Sequence, residues 1–168
     1  ITGKITQWNL EYDFGMGKEE FWDLIYLPEH RETLFLQPIA VEVLSQLRRL
    51  RYAGHTLHIV TARTGDIAEA FCLESMRMNN VPADSVTFTS DKGSMVERLD
   101  ATFSLDDRPS NYEDLLLPSH MTFLMDTSHN RSFEADSSNE PVRRVSTMSE
   151  FVNLILDFQR NGVQLRGD

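Results

Sequence analysis

The chain has 168 residues, enough for one domain with a sizeable core, and its 40% apolar and 25% charged residues fit a folded globular chain better than a disordered one. A formal charge of −10 argues against an extended nucleic-acid surface, because duplex binding relies on neutralising phosphates with Lys and Arg. A small anionic substrate stays open if a few cations and a metal are gathered locally.

Ile1 to Leu10 carries Lys4, Thr6, Gln7 and Asn9, so neither the apolar region of a signal peptide nor a membrane span is expected there. With no initiator Met and no apolar strand, this stretch does not read as the natural beginning of a domain. Lys18 to Leu27, with Phe21, Trp22, Leu24 and Ile25 among acidic residues, suits a short amphipathic helix ended by Pro28. After Pro38, the helical recurrence of Ile39, Ala40, Val43, Leu44, Leu47 and Leu50 predicts a helix stopped at Gly54. Thr56 to Thr61 then reads as a buried strand ending in polar residues. His58 within it is expected to be a satisfied core histidine.

Asp66 and Glu69 form a capping-box-like pair opening a second helix, whose inward face would include Ile67, Phe71, Leu73 and Met76. Asn79-Asn80 ends it. Val86 to Thr89 is a short strand, Lys92 to Leu99 a short helix, and Ala101 to Leu105 a strand running into Asp106 and Asp107. Met121 to Met125 is the next strand. Thr147 with Glu150 caps a last helix containing Phe151, Leu154, Ile155 and Phe158 and stopping near Gly162. The polar stretch Ser132 to Glu140 reads as a loop, and no repeat or interdomain linker stands out. Cys72 is the one cysteine, so no intrachain disulfide can form, and a reducing cytoplasm is the expected setting.

Strands separated by helices imply a parallel sheet covered on both faces, with ligands bound beyond the carboxyl ends of the strands. That rule selects Thr61 to Thr64, Ser90 to Lys92, Asp106 to Arg108 and Asp126 to Asn130. Adjacent aspartates repel unless a cation or proton compensates, and Mg²⁺ often takes only one or two carboxylates beside water and phosphate. Asp106 as direct ligand with Asp107 supporting the water shell is one reading; an ordinary turn or helix cap is the other. Thr61 can donate its hydroxyl to a phosphate oxygen, with the amides of Ala62 and Arg63 completing an anion nest. Lys92 can neutralise the same phosphate. Each of these is weak alone, but their order along the chain narrows the choice.

Thr61 after a strand, Lys92 at a helix start and Asp106-Asp107 after a strand resemble the second, third and fourth motifs of the haloacid-dehalogenase-like phosphohydrolases. The segments Ile59-Val60-Thr61-Ala62-Arg63, Ser90-Asp91-Lys92, Leu105-Asp106-Asp107-Arg108-Pro109 and His129-Asn130 are most similar to the 5'(3')-deoxyribonucleotidase branch. The similarity covers about Pro38 to Leu156. It implies a Rossmannoid three-layer α/β fold with a parallel sheet: a core over residues 37–168 and a small helical cap over residues 1–36. By the same resemblance Thr61 and Lys92 would bind the transferring phosphate and act in catalysis, Asp106 would hold Mg²⁺, and Asp107 would support it. Trp22, Phe21, Phe14 and Tyr12 are candidates for stacking on a base, a core stripe at helical spacing being the other reading, and Asn130 is a candidate for contacting substrate, with the cap excluding water on closure.

One departure matters. The family's first motif is an Asp-x-Asp on the central strand, supplying nucleophile and acid, and no Asp-x-Asp occurs in the chain. Asp13 follows no apolar strand and does not substitute for it. Without that first core strand the sheet would lose its centre, leaving a slot between the strands ending at Thr61 and Leu105. Truncation upstream, a strand from another chain, or a non-catalytic relative would each explain this.

The expected function is therefore a Mg²⁺-dependent phosphomonoesterase acting on a nucleoside or deoxynucleoside monophosphate through a phosphoaspartyl intermediate, its nucleophile upstream of Ile1. The alternatives are a phosphatase of the same superfamily with another phosphomonoester substrate, and a nucleotide-binding relative without turnover. The expected partner is a small phosphorylated molecule rather than a membrane, and a homodimer is compatible with the sequence.

Overall fold

The computed structural model describes residues 15–30, 32–33, 36–118, 120–134 and 142–161. Among these residues the chain is an α/β protein with six α-helices and two small parallel sheets. Helix α1 is Lys18–Ile25, followed by a 3₁₀ turn at Pro28–His30. Then come α2 (Val41–Tyr52), β1 (His58–Thr61), α3 (Asp66–Met78), β2 (Ser85–Phe88), α4 (Lys92–Arg98) and β3 (Phe103–Asp106). The chain continues through α5 (Pro109–Asp114), β4 (Met121–Met125), β5 (Arg144–Val145) and α6 (Met148–Asn161).

β1 pairs with β2 in one sheet, Thr61 opposite Phe88. β3, β4 and β5 form the other, with Asp106 opposite Leu124 and Met125 opposite Val145. All pairings are parallel, so Thr61 and Asp106 each close a strand at its carboxyl end. Side-chain alternation splits the second sheet into two faces. Met121, Phe123 and Val145 pack with Leu50 of α2 and Phe151, Val152 and Ile155 of α6 in one buried cluster. Phe123 meets Phe151 edge-on at 5.4 Å, and Phe103 stacks on Phe158 at 5.9 Å. On the other face α5 packs against β3 and β4, with Tyr112 and Leu115 each 2% exposed. Helix α4 lies against α5 and β1. Gly93 lets it approach that closely, since a Cβ there would meet the Asp114 carbonyl oxygen at 2.9 Å.

Several local expectations shift. Helix α2 begins at Val41 rather than just after Pro38, and its end uses Gly54 at φ +91°, a conformation side-chain-bearing residues avoid. Asp66 is the first residue of α3, not its cap. The preceding Gly65 takes that place, and its amide donates to Glu69 Oε1 at 3.2 Å. The inward face of α3 is built on Ala68 and Cys72, whereas Ile67 and Leu73 are 56% and 48% exposed. Ala68 and Cys72 lie four residues apart on one face, and Ile67 and Leu73 fall on its flanks. The last helix is capped much as its sequence suggests: Glu150 N donates to Thr147 Oγ1, and Ser146 N to Glu150 Oε2. Gly162, Tyr12, Asp13, Phe14 and most of the Ser132 to Glu140 stretch lie outside the described residues.

Between β1 and β3 lies a slot of about 340 Å³, and among the described residues no backbone hydrogen bond joins the two strands.

Candidate functional site

Polar side chains gather where β1, β3 and β4 end. At the end of β1, Thr61 Oγ1 accepts from Arg63 N at 3.3 Å, and Thr64 N donates to Ala62 O at 3.0 Å, curling residues 61–64 into a tight turn. The Thr61 hydroxyl proton stays available to an acceptor beyond the turn, since its oxygen is the accepting atom here. Arg63 lies close to Tyr26 and Cys72. Burial pushes the Tyr26 hydroxyl and the Cys72 thiol up from their ordinary values, and the Arg63 guanidinium pulls both back. The end of α1 is thereby placed beside the turn after β1.

Asp91 caps α4, its Oδ1 accepting from Ser94 N at 3.1 Å, and hydrogen bonding to the Ser94 side chain first and to this amide second holds its carboxyl below the usual range. The next residue, Lys92, reaches across to β3, its Nζ 2.6 Å from Asp106 Oδ2. Both side chains are largely buried, at 15% and 8% exposure. The other Asp106 oxygen accepts from Arg108 N and Asn111 Nδ2, each at 2.9 Å. Asp106 is thus held by three donors, which orients both partners.

Asp107 is more open, its side chain 42% exposed. Burial, and next the Asp106 carboxylate beside it, push its carboxyl above the ordinary range, while His129 and, more weakly, Lys92 act the other way. His129 Nε2 stands 3.6 Å from Asp107 Oδ2, and Thr127 Oγ1 is within hydrogen-bond reach of the same imidazole. Asn130 is only 1% exposed, and its side-chain amide is engaged by protein on both ends. Nδ2 donates to Asp107 O at 2.8 Å and Met125 O at 2.7 Å, while Oδ1 accepts from Thr127 N and Arg144 Nη1, each at 3.1 Å. It ties the turn after β3 to the turn after β4. The Asp126 carboxylate pairs with Arg131 at 3.5 Å and Arg144 at 3.7 Å.

The chain therefore brings Lys92 to Asp106, and Asp107 to His129 and Asn130. Phe21, by contrast, is a core side chain at 3% exposure, and Trp22, 38% exposed, stacks on Tyr26 at 5.7 Å. Asn111, Arg144 and Tyr26 were not singled out by sequence. Asn111 follows Asp106 by five positions across a Pro109 helix start, a combination that could have exposed it. His58, on β1, bonds Ser85 Oγ at 2.7 Å through Nδ1.

A carboxylate such as Asp107, raised by burial and by the Asp106 charge beside it, suits a hard divalent cation. Among the described residues no group of three or more His, Cys, Asp or Glu side chains is placed to hold a metal ion by itself, so an all-protein cage of that kind is not what they offer. They offer the outward carboxylate of Asp107 beside the firmly held Asp106. That small donor set fits Mg²⁺, which keeps several waters and takes the rest of its shell from substrate.

Compared with known proteins, the chain matches no family profile and no curated protein. Among the described residues no helix is long and apolar enough to cross a membrane.

Proposed function

We propose that the chain forms most of a Mg²⁺-dependent phosphomonoesterase of the haloacid-dehalogenase type, acting on a nucleoside or deoxynucleoside monophosphate, with the attacking carboxylate outside these 168 residues. The observation that carries the reading is the Lys92–Asp106 pair, 2.6 Å apart at the carboxyl end of β3, with the second carboxylate, Asp107, next to it. A buried ammonium fixed by one carboxylate and adjacent to another is suited to receiving a phosphate and a metal together.

In this reading the Thr61 hydroxyl and the amides of Ala62 and Arg63 hold phosphate oxygens, and Lys92 balances charge that builds on them. Asp106 keeps Lys92 in place, and Asp106 and Asp107 would hold Mg²⁺. The metal supplies Lewis-acid stabilisation of the phosphoryl oxygens when bound. An incoming carboxylate forms the new oxygen–phosphorus bond as the nucleoside oxygen leaves and takes a proton. Water then cleaves the acyl phosphate and returns the carboxylate. Asn130, through Asp107 O, steadies the acidic turn rather than reaching toward substrate.

The test is hydrolysis by a chain extended upstream of Ile1, across a panel of nucleoside monophosphates and sugar phosphates. Nucleotides should be preferred, and Asp106→Asn should cut the rate by at least ~100-fold, the scale for losing one preorganised electrostatic group. An unchanged rate in Asp106→Asn removes the metal assignment. Tight nucleotide binding with no turnover favours the non-catalytic relative instead.

A further inference from the structure

The described sheets have two outer edges, β5 and β2, and they are finished differently. An open edge offers unpaired amides and carbonyls to another chain, and folded proteins commonly blunt it with shortness, charge or proline. β5 is blunted: it has two residues, one of them Arg144, with Arg143 just before it. β2 is not. Ser85–Phe88 has four residues, and no charged residue or proline occurs from Ser85 to Ser90. Thr89 N donates to Thr61 O, so the alternation of peptide groups along the strand turns those of Thr87 toward β1 and those of Val86 and Phe88 away from it. Among the described residues no strand pairs with that outer side, and no backbone hydrogen bond beyond the β1 ladder reaches Val86 or Phe88. All four residues of β2 are partly exposed.

This edge is complementary to itself. About a two-fold axis at Thr87, an antiparallel second copy sets its Phe88 opposite Val86, and the two residues exchange both main-chain bonds. The axis repeats the exchange, so outward groups otherwise left to water form a ladder. Thr87 then faces the second copy's Thr87 in the closer, non-bonded pair, while the two Val–Phe pairs lie on the opposite face. Thr–Thr and aromatic–β-branched pairs are among the favourable cross-strand matches. Charge does not oppose the contact, although each chain carries −10 overall. In this register Asp84 falls opposite the second copy's Ser90, and its own charge is already paired with Arg51 at 2.6 Å. The two-stranded sheet, a marginal unit by itself, becomes four-stranded in the order β1-β2-β2-β1.

We infer that β2 is a dimer edge, through which two copies of this chain pair antiparallel over Ser85–Phe88 about a two-fold axis at Thr87. Because a two-fold contact uses the same patch on both copies, assembly closes at the dimer. A contact built on one strand pair is small, so the dimer is a reversible one. No phosphate, metal or upstream residue enters the inference, and it does not rest on the phosphatase reading.

The experiment is sedimentation velocity on the 168-residue protein between about 5 and about 200 μM, where a small interface should show a concentration-dependent monomer–dimer equilibrium. Val86→Pro removes an outward donor without touching the β1 ladder, at the kind of position where edge strands accept proline. Thr87→Lys sets two like charges face to face. Each variant should keep the parent's circular dichroism and sediment as a monomer throughout. Oxidation reads the register: Thr87→Cys places two thiols on residues whose Cα atoms are ~4.5 Å apart, within the span of a disulfide, and should give a linked dimer. Ser85→Cys faces the second copy's Thr89 and should not, nor should the parent, whose one thiol, Cys72, is buried. A monomer at every concentration, a dimer that survives either edge variant, or linking as fast in Ser85→Cys as in Thr87→Cys overturns the inference.

Discussion

Removing one partner of the Lys92–Asp106 pair should destabilise the protein far more than removing a surface ion pair. Both side chains are at least four-fifths buried, at 15% and 8% exposure, and stand 2.6 Å apart. Breaking a buried pair from one side leaves an uncompensated charge, at about 3–5 kcal/mol. Asp106 retains its bonds from Arg108 N and Asn111, so Lys92→Met belongs near the lower end, ~3 kcal/mol. Asp106→Asn keeps an acceptor near Lys92 but strands its charge, and a similar loss follows. The double variant leaves no charge behind and should lose little beyond either single one, giving a coupling of about 2 kcal/mol or more. Urea unfolding reads this directly: with a slope of ~2 kcal/mol per molar, each single variant should lower the midpoint by about 1.5 M. Additive effects below ~0.5 kcal/mol each would place the pair among ordinary surface contacts and refute the reasoning.

Asn130→Ala should remove the side-chain donor to the carbonyls of Asp107 and Met125 and the acceptor of the Thr127 amide, leaving Asp107 O its 3.3 Å contact with His129 Nε2, a loss of ~3 kcal/mol by urea unfolding, with faster amide exchange confined at first to residues 126–134. Unchanged stability would mean that the buried amide is not the tie between the two turns. His120 gives a pH signature: burial pulls its pKa below the ordinary 6.5, although its bond to Ala101 O opposes this. The unfolded chain then takes up a proton first, so stability should fall as pH drops below about 6.5 and level off beneath the lower folded value. His120→Gln should flatten that slope in urea midpoints measured between about pH 5 and pH 7, and an unaltered slope would assign it to other groups.

Much of this arrangement is legible in the residues. The strands ending at Thr61 and Asp106 stand out by Leu57, Ile59, Val60, Phe103 and Leu105, although the residues of β1 and β3 are only partly buried, and the polar residues that end them fall at the edge where such sheets present ligands. The cap at Thr147 and Glu150 is a local pattern and is read locally. Other features depend on distant neighbours. The face of α3 turns on Ala68 and Cys72, whose small side chains carry a weak apolar signal beside Ile67 and Leu73. α5 has six residues and β5 only two, too few for any periodicity to register. Asn111 and Arg144 act through those two elements, so their bonds to Asp106 and Asn130 become visible only once the chain is folded.

The central claim, a phosphate and Mg²⁺ handled together by Lys92, Asp106 and Asp107, is tested most directly by phosphate release from a 2'-deoxynucleoside monophosphate as Mg²⁺ is titrated into the metal-stripped, upstream-extended chain. The account predicts no release without metal and saturable activation by Mg²⁺, with Asp107→Asn requiring at least ~10-fold more metal, the scale for disturbing a metal ligand or its support. Release that proceeds equally in a chelator, or an activation curve unmoved by Asp107→Asn, would contradict it.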